Sequence, residues 1–198
     1  RVELTFQRGA TLAYTGKTGS GPAHLHYEIR DGAVQTDPLA NYAPWDQSKP
    51  VIVHLWWTTL SGYSPTSTGT PLKAPKNGGK WLTHQRKPIH ADEPVAFFIQ
   101  TYDPGPWGRH AVPSVIRVRA NGVLLHEEFS GRIDLAEPKR YFEDIVWSER
   151  RHLKRDVRRL FAPPPPSQFA YTPFTSEGWL SGLTGGDVTI EVEDRAGN

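Results

Sequence analysis

Apolar and polar residues alternate along most of this chain with a period of two, the pattern of half-buried strands. Val2, Leu4 and Phe6 alternate with Arg1, Glu3 and Thr5, and Thr11–Tyr14 repeats the pattern briefly. From His24 to Arg30 the alternation sets Leu25, Tyr27 and Ile29 on one face and His24, His26 and Glu28 on the other. Asp31-Gly32 then supplies a tight-turn dipeptide, and Asp37-Pro38 ends the regular structure. Val51–Trp57 is apolar on both faces except at His54, and Val95–Thr101 is a second strong strand. Val115–Ala120 and Val123–Phe129 flank Asn121-Gly122, the best hairpin signal in the chain. Val188, Ile190 and Val192 alternate inward along a last strand ending at Glu193. Thr58–Lys80 is rich in Ser, Thr, Gly and Pro and predicts a long loop with a short strand inside it. The fold class expected is mainly β, with a β-sandwich over the larger part.

One stretch departs from this period. Val146, Leu153, Val157 and Leu160 suit one face of a helix, with Arg and Lys dense between them, so a helical insertion is predicted over about 142–161. The prolines Pro163–Pro166 stop it. A polar linker over 43–50, bracketed by Pro44 and Pro50, divides the chain into residues 1–45 and 46–198.

Composition narrows the function classes. With 37% hydrophobic and 22% charged residues the chain can fold around a core, and 18 Gly with 18 Pro fit a turn-rich β-protein. A net charge of +2, with no basic stripe interleaved with stacking aromatics, argues against nucleic acid as a partner. No apolar run is long enough to span a bilayer. Cysteine is absent, which excludes disulfides and thiolate metal sites. Methionine is absent too, so a processed product or fragment is expected.

The candidate chemistry sits on the strand after the glycine loop Gly16–Gly21. Imidazole nitrogen is a good zinc donor, and a strand fixes ring direction better than a loop. The whole stretch, Gly9-x-x-Leu12-x-Tyr14-x-Gly16-x-Thr18-Gly19-x-Gly21-x-x-His24-Leu25-His26-Tyr27-Glu28-Ile29-Arg30 followed by Asp37-Pro38 and Tyr42, resembles the C-terminal part of lysostaphin-type (LytM-like) zinc metalloendopeptidases. The resemblance implies that His26 binds zinc and that His24 assists hydrolysis. It further implies that the substrate is peptidoglycan or another peptide, and that the protein works outside the cytoplasm, in the periplasm, at the cell wall or secreted. In such a site zinc lowers the pKa of its water and polarises the carbonyl, while histidines move the proton.

The departures are specific. The family's other zinc ligands, a histidine and an aspartate, precede the two-histidine strand, as does a further catalytic histidine. Residues 1–23 contain neither His nor Asp. The missing partners are expected before Arg1, and the chain alone is expected to be inactive. The family also has Gly-Pro before its His-Leu-His, where this chain has Pro22-Ala23. His84, His90 and Asp92 come in the wrong chain order to complete the site. His54, His110 and His126 read as ordinary sandwich residues, and His152 as a solvated one.

Residues 48–198 resemble the immunoglobulin-like sandwiches appended to bacterial surface and secreted hydrolases. The Asn121-Gly122 hairpin and the ending Asp194-x-Ala196-Gly197-Asn198 carry that likeness. The tryptophans 56, 57, 81, 107, 147 and 179 invite sugar stacking, but strand tryptophans more often fill cores. Trp107, in a turn, is the candidate for an exposed binding residue. The alternative function is a degenerate, non-enzymatic relative that binds the cell wall or regulates other proteins.

Overall fold

The computed structural model describes residues 5–11, 14, 28–36, 47–75, 80–85, 87–104, 112–129, 132–134, 136, 144–153, 156–161, 179–180 and 187–198. In chain order the elements are β1 (Ile29–Asp31), β2 (Val34–Thr36), β3 (Val51–Thr59), β4 (Thr70–Pro71), β5 (Val95–Tyr102), β6 (Val115–Ala120), β7 (Val123–Phe129), β8 (Arg132–Asp134), α1 (Trp147–Leu153), β9 (Val157–Arg159) and β10 (Val188–Glu193). They form three antiparallel sheets, ordered β4-β3-β5-β9, β10-β6-β7 and β1-β2-β8. The fold is mainly β.

The first two sheets face one another. Leu55 of β3 and Phe97 and Ile99 of β5 pack in one core with Ile116 and Val118 of β6, and Val188, Ile190 and Val192 of β10 lie against it. The first sheet is covered on its other face as well. Trp56, Ala96 and Phe98 pack there with Val146, Val157 and Phe161, and with Tyr63 and Trp179. Phe98 and Phe161 meet edge to face, with ring centroids 5.1 Å apart. A strand buried on both faces has no polar face to alternate with, which is why β3 and β5 read as continuous apolar runs.

The β10-β6-β7 sheet keeps a solvent face, and there the alternation is clean. Arg117 donates to Glu127 at 2.6 Å and to Glu193 at 2.5 Å, and Arg119 to Glu191 at 3.3 Å. Glu193 first, and then Glu127, raise the pKa of Arg117. Such half-exposed cross-strand pairs contribute about 0.2–1 kcal/mol each.

The turns follow local chemistry. Asn121 and Gly122 have φ of 49° and 81°, the two positive values a type I′ hairpin needs. Beyond β10, Asp194 is buried and accepts hydrogen bonds from Asn198 N and Asn198 Nδ2, both at 2.9 Å. The Asp-x-Ala-Gly-Asn ending is thus a turn clamped by its own first and last residues.

Two predicted elements differ. Among the described residues the helix expected over 142–161 covers Trp147–Leu153, and Val157–Arg159 instead forms strand β9 on β5. The open edge of β5 at Phe98–Gln100 offers three residues a ladder, and tertiary pairing overrides the helical spacing of Val157 and Leu160. Thr5 and Phe6 lie outside any strand, while Val2 and Leu4 fall outside the described residues. The short strand within Thr58–Lys80 is β4. Among the described residues no helix is long and apolar enough to cross a membrane.

Candidate functional site

His24 and His26 lie outside the described residues, so the geometry of the predicted site begins at Glu28. Glu28 accepts a hydrogen bond from Arg30 Nε at 2.6 Å, so the carboxylate nearest the histidines in sequence is held by a guanidinium. β1 starts at Ile29, directly after Glu28, and turns through Gly32 (φ 60°) into β2. Its register pairs Ile29 with Thr36 and Asp31 with Val34, so the hairpin forms where Asp31-Gly32 predicts a tight turn, with Gly32-Ala33 as its two loop residues and Asp31 still in the ladder. β2 continues into β8, pairing Val34 with Asp134, Gln35 with Ile133 and Thr36 with Arg132.

A catalytic zinc takes three protein ligands and keeps one position open. Among the described residues no group of three or more His, Cys, Asp or Glu comes together, and His84, His90 and Asp92 form no such cluster. Two imidazoles of suitable chemistry do not by themselves fit the ion, and no step is derived through it.

The other histidines are placed individually. His54 is exposed, with its ring 5.5 Å from that of Trp56, and His152 is exposed on α1. His126 is 1% exposed. Burial pushes its pKa down to about 4, so its ring is neutral at pH 7. His110 and Trp107 lie outside the described residues. Trp56 is in the core, and Trp57, Trp81 and Trp179 pack against core residues. Trp147 is the exposed one among the described tryptophans, at 51%, with the Arg150 guanidinium 5.7 Å from its ring centre.

The sandwich interior holds a charged cluster that sequence reasoning missed. Ile116 pairs with Glu128 and Val118 with His126, so both polar residues of β7 share the inward face of their apolar partners. Arg158, opposite Ile99 on β9, reaches across from the other sheet. Its Nη1 donates to Glu128 Oε1 and to Asp144 Oδ2, both at 2.5 Å. One guanidinium therefore faces two carboxylates, the buried Glu128 and the half-buried Asp144. Burial, reinforced by the Asp144 charge and opposed by Arg158, pushes the Glu128 pKa up to about 7. Burial also raises that of Asp144. The adjacent acidic pair Glu127-Glu128 in an otherwise apolar hairpin strand is the one sequence signal. A register shift between Val118 and Arg119 then hides which carboxylate turns inward.

At the opposite margin the sheets part around a cleft of about 720 Å³. Ile52, Leu55, Val188 and Ile190 line it, with Trp81 and Ile89 from the connecting segment. An ion pair between Lys80 and Asp187, both largely exposed, stands at its rim. Glu93 also borders it, but its carboxylate is engaged by Ser61 N at 2.7 Å and Ser61 Oγ at 2.6 Å, which lower its pKa. The volume suits a small molecule, and the lining is mostly apolar.

Comparison with known proteins returned no match to a family model, to a curated protein or to a solved structure.

Proposed function

We propose that this chain carries the C-terminal part of a lysostaphin-type zinc endopeptidase domain joined to a β-sandwich. The observation carrying this is the spaced motif from Gly9 to Arg30, with His24-Leu25-His26 after a glycine loop and Asp37-Pro38 beyond it. In this reading His26 is a zinc ligand, His24 assists hydrolysis, and the bonds cut are those of peptidoglycan cross-links or similar peptides. A tight turn after the histidine strand is compatible with it, because Asp31-Gly32 closes a short hairpin.

The test is made on the natural gene product. His26→Ala is expected to lose both bound zinc, measured by elemental analysis, and hydrolysis of purified peptidoglycan. His24→Ala is expected to keep the zinc and lose the hydrolysis. Zinc retained by the His26→Ala protein would sink the assignment. The 198-residue chain by itself is expected to hold no stoichiometric zinc dependent on His26, because residues 1–23 offer no His or Asp.

That lack of His and Asp favours a second reading, a non-enzymatic relative that binds the cell wall. The cleft beside Trp81 is then the candidate binding element. Co-sedimentation with peptidoglycan that is lost on Trp81→Ala, from a protein with no zinc and no hydrolysis, distinguishes it.

A further inference from the structure

We propose that the outer edge of β10 and the cleft beside it form a groove for an extended polypeptide strand with apolar residues at every second position and basic residues between them. Such a groove needs no zinc site; it rests on the cleft that the wall-binding reading also uses, and names its ligand. The two facing sheets differ in width. The β4-β3-β5-β9 sheet has four strands and the β10-β6-β7 sheet has three. At one margin Arg158 of β9 reaches Glu128 of β7, so those two edge strands face each other. Counting across from there, β5 lies over β6 and β3 over β10, and Ile52 of β3 shares the cleft with Val188 and Ile190 of β10. β4 then has no counterpart among the described residues. The cleft of about 720 Å³ lies at that position beside β10, with Leu72, just after β4, in its lining.

The backbone of β10 says what fits there. Asn121 N donates to Asp187 O at 3.0 Å, which makes 121 and 187 a hydrogen-bonded pair at the start of the β6–β10 ladder. Such pairs recur at every second residue, so Thr189, Glu191 and Glu193 turn their backbone groups to β6. The N–H and C=O groups of Val188, Ile190 and Val192 point the other way, and among the described residues no strand pairs with them. Another extended backbone offers donors and acceptors at that repeat. A strand added there lies about 4.8 Å from β10. Its residues opposite Val188 and Ile190 turn their side chains to the same face as those two, into the cleft. The other face of β10 is acidic. Glu191 and Glu193 pair with Arg119 and Arg117 of β6, yet their side chains stay 43% and 38% exposed, and Asp187 precedes them. Basic side chains on an added strand complement these acids, whereas a second copy of β10 does not. Antiparallel pairing of β10 with itself sets Glu193 against Asp187 when centred on Ile190, and Glu191 against its own counterpart when centred on that residue. Like charges directly opposite are destabilising.

The test uses the 198-residue chain and the N-acetylated peptide amide Lys-Val-Lys-Val-Lys-Val-Lys. In the free chain the amides of Val188, Ile190 and Val192 are expected to exchange freely with solvent, while those of Thr189, Glu191 and Glu193 are protected. The peptide is expected to bind saturably in titration calorimetry and to slow exchange of the first set at least tenfold. Methylating its valine nitrogens removes the donors aimed at β10, and is expected to weaken binding at least tenfold. Methylating its lysine nitrogens, which point away, is expected to change binding less than twofold. A Lys-Ser peptide of the same charge is expected not to bind, which excludes charge alone. Ile190→Pro removes an outward N–H and is expected to abolish binding, with amides of β3 and β5 unchanged as the control for folding. Where that variant fails to fold, the methylated peptides decide. Absence of saturable binding, or equal binding by the valine-methylated peptide, overturns the proposal. Protection of the first set in the free monomer overturns it in favour of another segment of the chain on that edge, and self-association lost on Ile190→Pro in favour of a second copy. Sedimentation with peptidoglycan that depends on Trp81, from a chain that does not bind the peptide, overturns the strand groove and leaves the wall-binding reading standing.

Discussion

Arg158→Met is expected to lower the free energy of unfolding by about 3–5 kcal/mol at pH 8, measured by urea denaturation. The guanidinium is the cation that faces both Glu128 and Asp144 in the closed margin between β7 and β9. Its side chain is 7% exposed and that of Glu128 is 8% exposed, so water cannot replace it. Removing one partner of a buried pair leaves charge uncompensated, whereas removing all charged partners together costs far less. The triple variant Arg158→Met, Glu128→Gln, Asp144→Asn is therefore expected to regain most of the loss. A triple variant as unstable as the single one would show that Arg158 acts through packing and not through charge.

The same cluster sets the pH dependence. Glu128 has its folded pKa raised to about 7, above its ordinary value of 4.5, so its contribution is fully present below 4.5. That contribution is lost as pH rises through about 7. His126 has its folded pKa depressed to about 4 from 6.5, so its contribution is present above 6.5 and lost as pH falls through about 4. Between pH 4.5 and 6.5 the two slopes oppose each other, because folding favours a proton on Glu128 and disfavours one on His126. Glu128→Gln removes the falling slope, and its stability is expected to rise with pH across this window. His126→Gln removes the rising slope, and its stability is expected to fall. Parallel pH profiles for the two variants would refute the opposed titrations. The Arg158→Met defect is likewise expected to shrink at pH 5, where Glu128 is protonated.

The second large effect is expected at Gly69. It has φ of 71°, and a Cβ there would lie 2.5 Å from the carbonyl oxygen of Trp57. The obstacle is the backbone of β3, which cannot swing aside as a side chain could. Gly69→Ala is expected to cost about 2–4 kcal/mol, from a strained φ together with displacement of a paired strand. Gly122→Ala is the control. Its φ of 81° is equally unfavourable, but a Cβ there meets nothing within 4 Å, so about 1 kcal/mol is expected. Equal losses in thermal or urea denaturation would show that contact with Trp57 is not the deciding term.

Legibility differed by element for physical reasons. The turns at Asn121-Gly122 and at Gly32 were readable because they need the positive φ those residues adopt. The inward set Val188, Ile190 and Val192 was readable because β10 keeps one face on the core and one in water. β9 was not, because Val157-Arg158-Arg159 carries no strand period of its own. Its partner is the free edge of β5, and both its arginines are buried by elements distant in sequence. β8 was missed for the same reason, since three residues signal nothing without β2. His126 and Glu128 were hidden by a register shift that reverses which residues face inward. The candidate site was legible as chemistry, two imidazoles at strand spacing after a glycine loop.

The amino-acid sequence by itself determined the mainly β character, the tight hairpins and the donor chemistry of His24 and His26, because each depends on residues within a few positions of one another. The pairing of β8 with β2, the place of β9 beside β5, and the position of Arg158 between the buried Glu128 and the half-buried Asp144 came from the folded arrangement alone. Those outcomes depend on edges and cavities made by distant segments, and burial changes what a charge costs in ways no local pattern encodes.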